Sequence, residues 1–201
     1  MTFCGDGAWD TVATAANELH ADPNSRVVDA TPAFDKLLIE FADAEEYRTQ
    51  ITQTIDSLRV GESRAQQAPR LHHIPVRYDG EDLAYVAECV ALPVSEVVRL
   101  HQFPVYQVAL LGFSPGFPYL EGLPPALHTP RRSTPRPCVP VGSVAIGGSH
   151  TGVYSLATPA GWNLIGTTSL RLFDLGRIAS PQSEAAAFFL KPGDHVKFVA
   201  E

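Results

Sequence analysis

Apolar side chains recur at helical spacing over residues 9–20, where Val12, Ala15, Ala16 and Leu19 share one face. Asp22-Pro23-Asn24 stops that helix. Residues 27–30 and 36–41 read as two short strands, with Pro32 in the turn between them. Ile51, Ile55 and Leu58 mark a second helix that ends before Gly61, and residues 62–70 form a polar loop. From Leu71 to Tyr78 the period shortens to two: Leu71, His73, Pro75 and Arg77 alternate with His72, Ile74, Val76 and Tyr78. Helix, strand, strand, helix, strand is a ferredoxin-like order that lacks an opening strand. Two helices follow, with apolar faces Leu83, Val86, Ala87, Val90 and Val94, Val97, Val98, His101, separated by Pro93.

Beyond Tyr106 the texture changes. Val105, Gln107 and Ala109 lie in a strand. Short apolar runs then alternate with Pro and Gly about every ten residues, as in 143–146, 152–154, 162–165 and 170–173. This spacing predicts a small closed β-barrel or sandwich. A short helix is expected over 182–190 and a closing strand over 195–199, after the Pro192-Gly193-Asp194 turn.

Composition sharpens the division. The chain has 201 residues, 45% hydrophobic and 18% charged, enough to build a sizeable core. Residues 1–100 hold 17 acidic and 8 basic side chains, against 5 and 7 in the remainder. Nine prolines lie between Pro104 and Pro140, and eleven of the 15 glycines lie from Gly112 onward. The expectation is an α+β protein with an acidic α/β domain over 1–102 and a β-barrel domain over 103–201. No apolar run nears the roughly 20 residues of a membrane span. The opening MTFCGDGAWD lacks the basic and apolar blocks of a signal peptide, so a cytoplasmic location is expected. Three widely spaced cysteines with no Cys-x-x-Cys argue against a disulfide framework or a cysteine zinc site.

Several motifs bear on chemistry. Gly112-Phe-Ser114-Pro-Gly116 matches the G-x-S-x-G elbow of serine hydrolases, with Asp174 and His195 following in triad order. The elbow requires a helix after the turn, and prolines at 118, 124 and 125 oppose one. Residues 81–101 imitate a helix-turn-helix, but in an acidic half that would repel phosphates, so no nucleic-acid partner is expected. His72 and His73 are strand neighbours pointing to opposite faces. No histidine pair has chelating spacing, so no metal site is expected. Residues 147–152 form a glycine- and hydroxyl-rich turn without the lysine of a phosphate-binding loop. Residues 130–136 set Arg131, Arg132 and Arg136 in a proline-stiffened segment suited to carboxylate or phosphate.

The run GFSPGFPYLEGLPPALHTPRRSTPRPCVPVGSVAIGGSHTGVYSLATPAGWNLIGTTSLRLFD, with the upstream IPVRYDGEDL and the final KPGDHVKF, closely resembles the B-subunit family of bacterial 5-oxoprolinase. That family is also called KipI-like or allophanate hydrolase subunit 1. The resemblance implies a small α/β domain followed by a cyclophilin-like barrel. It implies ATP-dependent opening of 5-oxoproline to glutamate, with a KipA-like C-type partner and a third, A-type partner in a hetero-oligomer such as a heterotetramer. Two alternatives come with it: a carboxyltransferase-type protein related to urea carboxylase, and a non-catalytic inhibitor of a histidine kinase. Glu121, His150, Ser155 and Ala160 depart from the family's usual residues, and the first ten residues are too short for its opening strand.

Opening a lactam that carries a carboxylate calls for cationic clamps and polar donors. The expected clamps are Arg131 and Arg136. Tyr119, Tyr154 and Thr151 are the expected hydroxyl donors, and the Gly147 and Gly148 amides are candidates for an oxyanion. His150 is the expected proton carrier, so His150, Tyr154 and Tyr119 form the expected catalytic set. With no phosphate-binding loop and no acidic magnesium cluster, this chain is expected to bind no cofactor alone, with Mg·ATP acting through the assembled complex. It would supply half a site and be inactive by itself.

Overall fold

A computed structural model describes residues 12–16, 19, 27–41 and 69–201. The chain divides into two compact units at Pro69/Arg70. In the first, β1 (Val27–Ala33) and β2 (Lys36–Phe41) form an antiparallel hairpin through Phe34 and Asp35. Val12, Ala15, Ala16 and Leu19 are helical and buried, and they cluster with Ala30 and Leu37. The expected helix around Ile51, Ile55 and Leu58 and the question of an opening strand lie outside the described residues.

The second unit contains β3 (Leu71–Val76), α1 (Leu83–Cys89), α2 (Val94–Gln102), β4 (Tyr106–Leu111) and β5 (Pro118–Glu121). It continues with β6 (Arg136–Val139), β7 (Ser143–Gly147), β8 (His150–Val153), β9 (Thr158–Ala160), β10 (Asn163–Thr167) and β11 (His195–Ala200). Seven strands make one sheet in the order β10-β7-β8-β5-β4-β11-β3. Neighbours are antiparallel except β3 and β11, which run parallel from Leu71↔His195 to Val76↔Ala200. The sheet curls until its edges meet. Arg77 N–H donates to the Thr167 carbonyl at 2.9 Å, and Thr167 N–H returns a bond to the Arg77 carbonyl at 2.8 Å. Gly166 permits that seam, since a Cβ there would lie 2.6 Å from the Arg77 carbonyl oxygen. The result is a nearly closed mixed barrel.

The expected ferredoxin-like order fails at its fifth element. β3 is a strand, but its inward Ile74 and Val76 belong to the barrel core. The two helices follow β3: Val86 and Val97 are buried in that core, and α1 packs on β10 and α2 on β11. The compact units therefore part at 69/70, not at 102/103. The expected helix over 182–190 is a kinked 3-10 segment, Pro181–Ala187.

Strand alternation builds two apolar layers. Val144 and Ile146 of β7, Val153 at the end of β8 and Ile165 of β10 point into the barrel. Ala145, Tyr154 and Leu164 point outward, where they join Phe117, Val139 and Trp162 in a second cluster. The ribbon of β6 and β9 accompanies this outer cluster, through Val139 and Ala160.

Candidate functional site

The arginine segment crosses the outer layer and is fastened along its length. Asn163, fully buried, donates from Nδ2 to the Pro130 carbonyl at 2.9 Å. Arg132 N–H donates to the Gly161 carbonyl at 2.8 Å. Asp82, 4% exposed just before α1, holds the other side. Its Oδ1 accepts from Arg132 Nη1 at 2.9 Å and Arg136 Nη2 at 2.8 Å, and its Oδ2 accepts from Leu164 N–H at 2.7 Å. Arg136 also pairs through Nε with Glu81 at 2.6 Å. Burial alone would lower the Arg136 pKa, but Asp82 and Glu81 hold it above its ordinary value.

Beside this segment lies a cavity of about 180 Å³. Phe113, Phe117, Tyr119, Tyr154 and Trp162 line it, together with Arg131, Arg132 and Pro135. The rings meet edge to face: Phe117 and Tyr119 lie 5.4 and 5.7 Å from Trp162. The Arg131 guanidinium sits over Trp162 at 5.7 Å. Burial pushes the Tyr154 phenol up to about 12, and the Trp162 amide only partly opposes it. Tyr154 is therefore a protonated hydroxyl at neutral pH, not a nucleophile. His150, half-buried, lies 6.4 Å from Tyr119 ring to ring. Burial, then the charge of Arg131, then His128 hold its pKa below the ordinary value, so it is a neutral imidazole at pH 7.

Tyr119, Tyr154 and Arg131 thus meet at one cavity, and His150 stands next to it. Four expected site residues do not join them. Arg136 is an internal tie, occupied by Asp82 and Glu81. Thr151 is fully buried; its hydroxyl donates to the Ala145 carbonyl at 2.9 Å and accepts from His101 Nε2 at 2.9 Å. The Gly148 amide is engaged by the Thr129 carbonyl at 2.8 Å. Gly147 is needed for space, because a Cβ there would lie 2.5 Å from the Trp162 ring. Sequence reading missed Phe113, Phe117, Trp162 and Asp82, and it named Arg132 only as part of the arginine run. The clustering of aromatics between 113 and 162 was the available signal for the rings; Asp82 gave none.

The hydrolase elbow is also excluded by its surroundings. Gly112 N–H donates to the Phe117 carbonyl and β5 follows, so the motif is a strand-to-strand turn. Ser114 Oγ lies 3.4 Å from Ser155 Oγ, and Asp174 is spent capping Gly176. Among the described residues no group of three His, Cys, Asp or Glu could hold a metal ion. No described helix is long and apolar enough to cross a membrane.

Residues 5–182 match the model of the carboxyltransferase domain, subdomain C and D. The chain belongs to that family. Among its relatives is the 5-oxoprolinase B subunit of Escherichia coli O157:H7, 43% identical over 87% of this chain and 78% of the relative. The 5-oxoprolinase B subunit of Bacillus subtilis is 39% identical over 94% of this chain and 81% of its own length. The crystal structure of TTHA0988 superposes with a TM-score of 0.85 at 38% identity, covering all of this chain and 39% of that one. The Kluyveromyces lactis urea carboxylase structure shares the fold: TM-score 0.77, 17% identity, 96% of this chain and 20% of that one. Carboxyltransferase C and D subdomains are therefore the frame in which the outer-layer cavity is to be understood.

Proposed function

We propose that this chain is the B subunit of a 5-oxoprolinase, contributing part of a site that partner subunits complete. The observation that carries this reading is that three relatives, at 39–47% identity, are all 5-oxoprolinase B subunits by name. The chemistry of the site is compatible with it. An aromatic cavity under a fastened arginine segment suits a small ring bearing a negative charge, and a protonated Tyr154 can donate a hydrogen bond to an amide oxygen. His150 supplies a neutral base beside the cavity. The reaction is ATP-dependent opening of 5-oxoproline to glutamate, with a KipA-like C-type partner and an A-type partner. The nucleotide is bound elsewhere in the complex.

Co-expression with the neighbouring subunits, followed by a 5-oxoproline-dependent ATPase assay, tests this. The complex is expected to turn over and this chain alone to be inert. Turnover by the isolated chain overturns the shared site. A co-purified partner without that activity moves the reading to a carboxyltransferase component, the class to which the matched family belongs by description.

A further inference from the structure

We infer that Trp162 is a positioning residue: its indole is a platform, laid flat over glycine backbone, that holds the Arg131 guanidinium at the cavity and beside His150. Strand alternation builds the floor. In β8, Val153 points into the barrel and Thr151 meets His101 there, so His150 and Gly152 face outward. They lie across from β7 in the register Gly147↔His150 and Ala145↔Gly152. A Cβ on Gly147 would lie 2.5 Å from three atoms of the Trp162 ring at once. One on Gly152 would lie 3.3 Å from the same ring and 2.6 Å from the Pro118 carbonyl oxygen. Neither glycine has a positive φ, so space rather than backbone conformation excludes a side chain at both.

The indole is held at its edges too. Phe117 and Tyr119 meet it at interplanar angles of 79° and 78°, and it is only 5% exposed. Two backbone segments run side by side next to it. Arg132 N–H donates to the Gly161 carbonyl at 2.8 Å, and Asn163 Nδ2 donates to the Pro130 carbonyl at 2.9 Å. These bonds bracket both Trp162 and Arg131, one residue to either side of each. They bring the guanidinium over the ring, 5.7 Å from its centre.

A buried indole needs no cation, but this cation needs the indole. Arg132 and Arg136 are tied to Asp82, whereas Arg131 forms no ion pair with a described carboxylate. A long cationic side chain without such a tie samples many rotamers, and an aromatic face beneath it removes that freedom. The consequence is felt at His150. Burial, Arg131 and His128 all oppose protonation of that imidazole, and Arg131 is the permanent cation among them. The other groups nearby are uncharged at neutral pH: Ser149 Oγ at 3.2 Å from Nδ1, and the Tyr119 ring at 6.4 Å. That Trp162 serves the reaction rests on the function proposed above, whereas its hold on Arg131 is a property of this chain alone.

The test is NMR on the full chain purified alone, with the His150 signals assigned through His150→Gln. In the parent, the indole ring current should shift the Arg131 side-chain protons upfield of those of Arg171, which is exposed and away from the cavity lining. Trp162→Leu should abolish that shift and raise the His150 pKa as far as Arg131→Gln does. The double variant should raise it no further, and Trp162→Phe should restore most of the parental value. No rise in Trp162→Leu, or a rise in the double variant equal to the sum of the single ones, would overturn the positioning role and leave Trp162 as packing. If Trp162→Leu fails to fold, the parent decides: shifted Arg131 protons uphold the platform and unshifted ones overturn it. In the assembled complex Trp162→Leu and Arg131→Gln should each lose about tenfold in kcat/KM for 5-oxoproline, and full activity of Trp162→Leu would overturn its part in the reaction. A parent complex without turnover removes the proposed function instead, and the ring-current shift and the His150 titration still decide the platform.

Discussion

Asp82 decides more at the outer layer than any other single side chain. Its carboxylate satisfies two guanidiniums and one amide from a nearly dry position, so removing it strands charge. Breaking such a buried pair from one side costs about 3–5 kcal/mol. Asp82→Ala is expected to lose that much in urea unfolding, whereas Arg131→Gln loses almost none. The same Arg131→Gln change should raise the pKa of His150, because the cation that opposes protonation of the imidazole is gone. A histidine-resolved NMR titration checks the direction, and a fall or no change would contradict the arrangement. The three arginines were legible as chemistry because forked cations in a proline-stiffened run are unusual. Their division of labour was not legible. Asp82 reaches Arg132 and Arg136 across 50 and 54 positions, and no local pattern encodes that choice.

Among the elements, period-two and helical patterns located β3, both helices and the barrel strands, since each is fixed by which residues face the core. What they could not fix was the partner of β3, which pairs with the far end of the chain. α2 illustrates the same limit. His101 lies on its apolar face, as its spacing requires, yet its role depends on Tyr78 and Thr151. Thr151 spends its one hydroxyl proton on Ala145, so it accepts from Nε2–H of His101, and Nδ1 accepts from Tyr78 at 2.8 Å. Complete burial pushes the His101 pKa down to about 3. Below an unfolded value near ~6.5 the unfolded chain therefore binds a proton that the folded chain refuses. Stability is expected to decline as pH falls from about 6.5 toward about 3, with a slope from this residue of at most ~1.4 kcal/mol per pH unit. His101→Gln should flatten that acid limb in pH-dependent urea melts, at the expense of stability near neutrality.

For the molecule as a whole, the unit boundary at 69/70 makes a claim that a boundary at 102/103 does not. The main core draws on residues from Ile74 to Phe198. Residues 70–201 expressed alone should therefore unfold cooperatively and show dispersed NMR signals. Residues 103–201, deprived of β3, α1 and α2, should not. The reverse result would restore the boundary read from composition. That reading went astray because charge and proline content report solvent exposure and loop density, not which strands pair.

The parallel pairing of β3 with β11 also constrains how the protein is born. His72 and Asp194, joined at 3.0 Å, are 122 positions apart. At the ~5–20 residues per second of synthesis, β3 waits on the order of ten seconds for the strand that will cover its edge. The seam between Arg77 and Thr167 closes one side earlier, but β4 and β3 have no shared neighbour until β11 is made. For that interval the nascent chain carries two unpaired strand edges and an unfilled core, the state in which a holding chaperone or a waiting partner protein would have most to offer.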